Sequence, residues 1–331
     1  MLALGLVTFL AVVAVLSPVI VGTKPIICKY QGEIYFPCLG YFYPRFEAKF
    51  SGAPFFKRYP VTLKETDPDS WAIWPLNYND PERSVAEGEF PGRPANPQSG
   101  PPSRLNWFGT DSRSYDVFAQ MVHGTRTALL VGFVSMGIAA AIGITLGGLA
   151  GYFGGWIDIL LSRLIEVVMC VPTLILILAL VSLVEVPNIT HLMAVIGLTG
   201  WTGIARLTRG EFMKLKQMEY ISAAKVLGAG SGRIIFRYLL PNALAPVLVP
   251  ITFGIAGAIL VETALSYIGF GPPPPNPSWG QLLRSGQANY HNWWLILFPG
   301  MGVFLTVLAY NLIGEGLQDA TDPRLREAGR S

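Results

Sequence analysis

Long apolar runs separated by polar stretches dominate this chain. The first covers residues 2–21, about the 20 residues needed to cross a bilayer core. It lacks a basic leading segment and a small-x-small cleavage site, so it reads as a retained membrane helix rather than a signal peptide. Further runs cover residues 127–152, 159–184 (with Pro172 inside), 192–205, 243–267 and 293–313. The run at 192–205 spans only if its flanks extend it. The pattern predicts an all-α integral membrane protein with six transmembrane helices. Its parts are a first helix (1–22), an insertion with a pre-membrane helix (23–126), a five-helix core (127–318) and a tail (319–331).

Residues 22 to about 105 differ from the rest. They are rich in Pro, Gly, aromatics and charge, and they end in PGRPANPQSGPPS. This reads as a water-exposed insertion of short strands and turns followed by a Pro-rich linker. Residues 111–124, DSRSYDVFAQMVHG, read as a short amphipathic helix entering the membrane.

Charge sets the orientation. Residues 186–191 carry no Lys or Arg, and 269–292 carry only Arg284. The loop 206–238 carries seven: Arg206, Arg209, Lys214, Lys216, Lys225, Arg233 and Arg237. The tail adds Arg324, Arg326 and Arg330. Positive residues mark cytoplasmic loops, so this loop and both termini are expected in the cytoplasm and the insertion outside. The twelve Lys and Arg of 22–126 do not oppose this, because long translocated segments largely escape the rule.

Composition agrees: 51% of residues are hydrophobic and 14% charged, against about 25% charged in soluble chains. A net charge of +3 is too small to argue for nucleic acid. Gly143, Gly147, Gly151 and Gly155 recur every fourth residue, which predicts close helix packing rather than a pore. Cys170, in an apolar run, reads as a small buried hydrophobe. Cys28 and Cys38 lie ten apart in the insertion; a disulfide and two free thiols both fit, and the spacing is not that of a metal site.

Chemistry is sparse. There is no phosphate-binding G-x-x-x-x-G-K-[ST] loop, no HExxH and no G-x-S-x-G, and His123, His191 and His291 are far apart. No catalytic or metal-binding residues are predicted. Two carboxylates fall in apolar runs. Glu166 follows Arg163 by three, which suits an intrahelical pair. Glu262 has no Lys or Arg within four positions in the sequence; it is the candidate for a cavity-lining or gating group, and a pair with another helix fits as well.

The stretch 219–242, EYISAAKVLGAGSGRIIFRYLLPN, is the most distinctive. Residues 219–227 suit a short helix whose Ala223 and Ala224 offer a shallow surface. Gly228 permits a left-handed helix end. Helical pattern resumes at Arg233, and Pro241 suits the first turn of the next membrane helix. Physics alone leaves two readings open, a helix resting on headgroups and a docking site for a protein.

The pattern Glu219, Ala223-Ala224, Gly228, Leu240-Pro241 resembles the EAA motif of ABC importer permeases. Other blocks resemble the dipeptide/oligopeptide branch of that family: WFGTD at 107–111, GTRTAL around Arg126, GYFGGWID at 151–158, LTGWTGIARLTRGEF at 198–212, LSYIGFGPPPP at 265–275 and GEGLQDATDPRLR at 314–326. The opening of the insertion, KPIICKYQGEIYFPCLGYF, is most similar to Yej-type permeases associated with oligopeptide and microcin C uptake. The chain departs from the family at Ser114-Tyr115-Asp116, where Gly-Arg-Asp is usual, and at Tyr238 and Glu315, where His and Asp are common.

The resemblance implies a type I ABC importer permease fold in a bacterial inner membrane, with an extracytoplasmic insertion between helices 1 and 2. The loop 206–242 would be a coupling loop, with Glu219, Ala223, Ala224, Gly228, Leu240 and Pro241 engaging a cytoplasmic ATPase. ATP and Mg would sit on one or two such subunits, with no cofactor in this chain. A second, homologous permease, an extracytoplasmic peptide-binding protein and membrane lipid complete the expected partners. The competing expectations are a stand-alone secondary transporter or channel and, more weakly, a membrane-bound enzyme with its site in the insertion.

Overall fold

The computed structural model describes residues 1–50, 52–185, 188–272 and 276–321. The tail with Arg324, Arg326 and Arg330, and residues 273–275 of the proline block, lie outside the described residues. The helices are α1 (Leu2–Ile20), α2 (Ala53–Thr66), α3 (Val117–Phe153), α4 (Gly155–Met169), α5 (Thr173–Ser182), α6 (Ile189–Leu215), α7 (Glu219–Val226), α8 (Ser231–Ile268), α9 (Trp279–Ala288) and α10 (Trp294–Thr321). Helices α1, α3, α8 and α10 are long and apolar enough to cross a membrane. The pair α4 and α5 forms a fifth candidate, bent by 84°.

The bend corrects the expectation of one continuous helix over 159–184. Pro172 has no N–H and disfavours helix in the residue before it, so the chain breaks there and restarts with Pro172 as the N-cap of α5. Cys170 caps α4 at this break and is exposed rather than buried. An apolar neighbourhood in sequence does not distinguish a lipid-facing position from a core one. The short run 192–205 gains its length from both flanks. Asn188 caps α6 by accepting from the His191 N–H at 3.0 Å, and the helix runs 27 residues, about 40 Å.

The chain divides into two compact units. One holds Met1–Val7, Leu130–Glu262 and the chain from Leu305 onward. Its packing rests on the glycine row of α3. A Cβ at Gly143 would lie 2.8 Å from the Trp201 carbonyl oxygen, and one at Gly151 2.6 Å from that of Arg209. At Gly147 it would collide with the Ala205 carbonyl. Gly197 on α6 answers from the other side, its added Cβ reaching the Ser135 carbonyl at 2.8 Å. The close packing expected of the row is therefore present between α3 and α6. Gly155 is not part of it: with Gly154 it takes positive φ (55° and 67°), making the break between α3 and α4, which Gly155 begins.

The other unit holds Thr8–Leu129 and Thr263–Phe304. A three-stranded antiparallel sheet of β1 (Ile27–Tyr30), β2 (Glu33–Tyr35) and β3 (Trp71–Ile73) has the order β2-β1-β3. Gln31 and Gly32, both at positive φ (54° and 84°), make the β1–β2 turn. Alternation sends Cys28, Tyr30, Tyr35 and Ala72 to one face, against Phe50, Phe55, Tyr59 and Leu63. The insertion also contains α2, unforeseen because Pro60 and the aromatics around it argue against helix.

The Pro-rich stretch is not a loose linker. Asn106 donates to the Asp116 carboxylate at 2.8 Å and to Asn96 at 3.2 Å, and Asn96 donates to Asn79 at 3.1 Å. All four residues are buried. Asp116 also accepts from the Ala119 N–H at 2.7 Å, capping α3. Burial pushes its carboxyl up to about 6. The expected pre-membrane helix is thus a turn at Asp111–Asp116 followed by the first turns of α3 itself. In the WFGTD block, the Thr110 carbonyl accepts from the Trp294 indole at 3.1 Å. Ser114, where the resemblance leads one to expect Gly, sits at φ 63°, a conformation that costs a side-chain-bearing residue.

Two outcomes follow. Gly147→Leu forces α3 and α6 apart and costs about 3 kcal/mol, seen as loss of monodisperse protein in detergent; normal yield and melting would contradict the packing. Ser114→Gly relieves left-handed strain and raises the apparent melting temperature, by up to about 1 kcal/mol in stability; a lowered temperature would contradict it.

Candidate functional site

The distinctive loop builds a small, well-terminated helix. α7 carries Glu219 in its first turn, where a carboxylate complements the helix dipole. It ends in a Schellman motif: Ala229 N–H donates to Ala224 O and Gly228 N–H to Lys225 O, both at 2.9 Å. Gly228 stands at φ 80° with nothing within 4 Å of an added Cβ. Its glycine is required by conformation, not by space.

The inner face of α7 is pinned. Ile221 is fully buried and shares one apolar cluster with Tyr152 at the end of α3, Phe212 of α6, and Ile234, Leu239 and Ala243 of α8. Ala229, Tyr238 and Leu240 pack against the same cluster. Lys216, between α6 and α7, donates to the Tyr152 carbonyl. Nearby, Arg209 of α6 makes a two-pronged pair with Asp158 of α4, one arm at 2.8 Å. That pair joins two of the motif blocks and was not foreseen, because its members are 51 residues apart.

The outer face differs from the expectation. Ala224 is only 8% exposed and turns inward, one turn from Ile221. Ala223 is exposed, as are Glu219 and Gly228. Beside Ala223 stand Val226 and Leu227, 89% and 86% exposed, with Tyr220 at 43%. These are apolar side chains that the sequence reading passed over. The surface therefore centres on Ala223, Val226 and Leu227 rather than on the Ala223-Ala224 pair. Pro241 is exposed and, as expected, lies in the first turn of the α-helical stretch Leu240–Ile268 that forms the membrane part of α8. The helix widens to a π turn over Ile234–Leu239, with Leu240 N–H donating to Ile235 O. Such a turn leaves room for the proline that follows.

The remaining candidates fall elsewhere. Arg163 and Glu166 form the expected intrahelical pair, at 2.6 Å. A cavity of about 240 Å³ lies among α3, α5, α6 and α8, bounded by Met136, Ile177, Gly200, Gly203, Gly254 and Val261. Glu262 is not among its lining residues and is 1% exposed. Cys28 and Cys38 are both free and buried. Burial pushes the Cys28 thiol up to about 12, and the Cys38 thiol faces the Ile26 carbonyl at 3.4 Å. No cluster of His, Cys, Asp and Glu fit for a metal occurs among the described residues.

Residues 143–327 match the model of the family described as binding-protein-dependent transport system inner membrane components. The chain is 40% identical to a dipeptide transport system permease protein of Alkalihalophilus pseudofirmus, over 70% of this chain and 76% of that one. It is 33% identical to an inner membrane ABC transporter permease protein of Escherichia coli, over 93% and 88%. A peptidoglycan transport system permease protein of Agrobacterium fabrum is 34% identical over 94% and 86%. The fold matches a chain of the MetNI methionine ABC transporter, solved in inward-facing form, at a TM-score of 0.51 and 16% identity, covering 61% of this chain and 97% of that one. With a family match over more than half of the chain and relatives matched over most of it, the chain belongs to the family of binding-protein-dependent transport system inner membrane components, the permease subunits of ABC importers.

Proposed function

We propose that this permease imports peptides or peptide-like compounds, driven by ATP hydrolysed on separate subunits. The observation that carries this reading is the two-sided build of α7. Ile221 fastens its inner face to the ends of α3, α6 and α8, while Ala223, Val226 and Leu227 stand bare on the other side. An exposed apolar patch of this kind marks an interaction site. An ATPase subunit that grips the bare face moves the anchored one, and the three long helices with it. ATP and Mg belong to that partner.

Six crossings fit the helices, namely α1, α3, the bent pair α4–α5, α6, α8 and α10. With the basic loop in the cytoplasm, the termini are cytoplasmic and the insertion between the first two crossings is extracytoplasmic. A second, homologous permease would complete the pathway, and a peptide-binding protein would deliver cargo from outside. Peptide cargo rests on the dipeptide-system relatives. Glu262, buried as it is, would gate by repacking within the chain rather than by touching cargo.

Leu227→Glu puts a charge on the bare face and leaves the Ile221 cluster intact. The expected result is at least a tenfold loss of ATPase copurifying with the permease, with the permease still folded and membrane-inserted. Ala223→Arg should act likewise. Full ATPase retention in both variants, or peptide uptake by the chain alone, would overturn the reading in favour of a stand-alone transporter with a headgroup-bound helix.

A further inference from the structure

We infer that the outward face of the three-stranded sheet is a lipid-contact surface, laid on the headgroup layer on the side of the membrane where α1 ends. This rests on α1 crossing the membrane and not on the transport reading.

The sheet is stitched to the end of that helix. α1 has 19 residues, about 28 Å, so its last turn lies at the edge of the hydrocarbon core. There Val19 O accepts from Leu76 N–H at 3.3 Å, and Ile20 O from Asn77 N–H at 3.1 Å. Gly22 N–H returns to Asn77 O at 3.2 Å and Ile26 N–H to Ile73 O at 2.8 Å. The pairing then continues as Ile27↔Ile73 and Lys29↔Trp71. The β1–β3 ribbon thus begins at the depth where the span stops.

The face turned away from the aromatic cluster has the wrong composition for water. Register places Ile27, Lys29, Ile34, Trp71 and Ile73 on it, with Lys29 opposite both Ile34 and Trp71. Ile34 is 60% exposed, Trp71 44% and Ile73 52%; Leu76, at the foot of the ribbon, is 80% exposed. An antiparallel sheet with one solvated face carries polar residues there. Here Lys29 is the one charged residue among those paired on that face.

A bilayer surface is the occupant this arrangement favours. Val12, Val15 and Leu16 of α1 are exposed apolar side chains, and Leu76, bonded to the helix end, and Ile73 of the ribbon are exposed and apolar as well. Trp at headgroup depth, beside a Lys whose stem can lie along apolar surface while its ammonium meets phosphate, is the composition that a lipid interface selects. Exposed Trp107, whose ring lies 4.7 Å from Phe118 in the first turn of α3, and exposed Trp293, just before α10, mark the entry of two other spans in the same way. β3 covers Trp71–Ile73; stood upright, the five residues of chain from Leu76 to Trp71 would lift Trp71 by up to about 17 Å, beyond the headgroups, so a sheet in lipid contact lies along the membrane.

Nitroxide labels at Ile34, Ile73 and Leu76, each in a Cys170→Ser background of the full chain, test this in phosphatidylethanolamine–phosphatidylglycerol nanodiscs. Cys28 and Cys38 are buried, and the unlabelled background controls for them. A label at exposed Glu65 of α2 is the aqueous reference. Power saturation should show more relaxation by oxygen than by a nickel chelate at Leu76 and Ile73. The two should be comparable at Ile34, with the nickel chelate dominant at Glu65. Nickel dominance at Ile34 and Ile73 would overturn the inference in favour of an open aqueous face. Protection from both reagents would overturn it in favour of a protein occupant. Either failure leaves the α7 reading untouched, since Leu227→Glu tests that separately.

Discussion

The burial of Ile221 is the contact on which the rest of the site depends. α7 has eight residues, too few to be stable alone in water. It is a helix because its inner face completes an apolar cluster supplied by three long helices and because the Gly228 turn closes its end. The cluster also dictates which residues remain outside. With Ile221 and Ala224 turned in, helical geometry leaves Ala223 and Val226 turned out, and the left-handed turn at Gly228 holds Leu227 beside them. Anchor and contact surface are two consequences of one packing choice.

The same logic runs through the neighbouring helices. Glycines on α3 let it approach α6 backbone to backbone, which sets Phe212 and Tyr152 where the cluster needs them. Asp158 and Arg209 tie α4 to α6 close to that site. The π turn in α8 carries Ile234 and Leu239 into the cluster just ahead of Pro241. In the other unit, short polar side chains do the organising. Buried Asn79, Asn96, Asn106 and Asp116 hold a proline-rich stretch in one shape, as buried polar groups must when each finds a partner.

What the sequence made legible follows from how local each signal is. Span length and apolarity are local, so the long helices were readable, and Ala-rich spacing closed by Gly228 gave α7 and its end. The bend at Pro172 had a local cause but read as a feature within one span. The side of α7 facing outward depends on Tyr152, Phe212 and Leu239, distant in sequence, so Ala224 was placed on the wrong face. Val226 and Leu227 were overlooked for a related reason: apolar residues suggest burial until the surrounding chain is known. α2 hid behind Pro60. The Asn network hid behind prolines because a buried hydrogen bond leaves no pattern in composition.

The central claim is that α7 transmits force through its anchored face. Transport per ATP hydrolysed, measured in proteoliposomes for Ile221→Ala in the assembled complex, tests it most directly. The truncation leaves Ala223, Val226 and Leu227 in place and opens a cavity at the anchor, costing about 2–5 kcal/mol of local packing. The account predicts that the ATPase stays bound and hydrolyses ATP while transport per ATP falls at least tenfold. An unchanged ratio of transport to hydrolysis in a complex that assembles normally would contradict it.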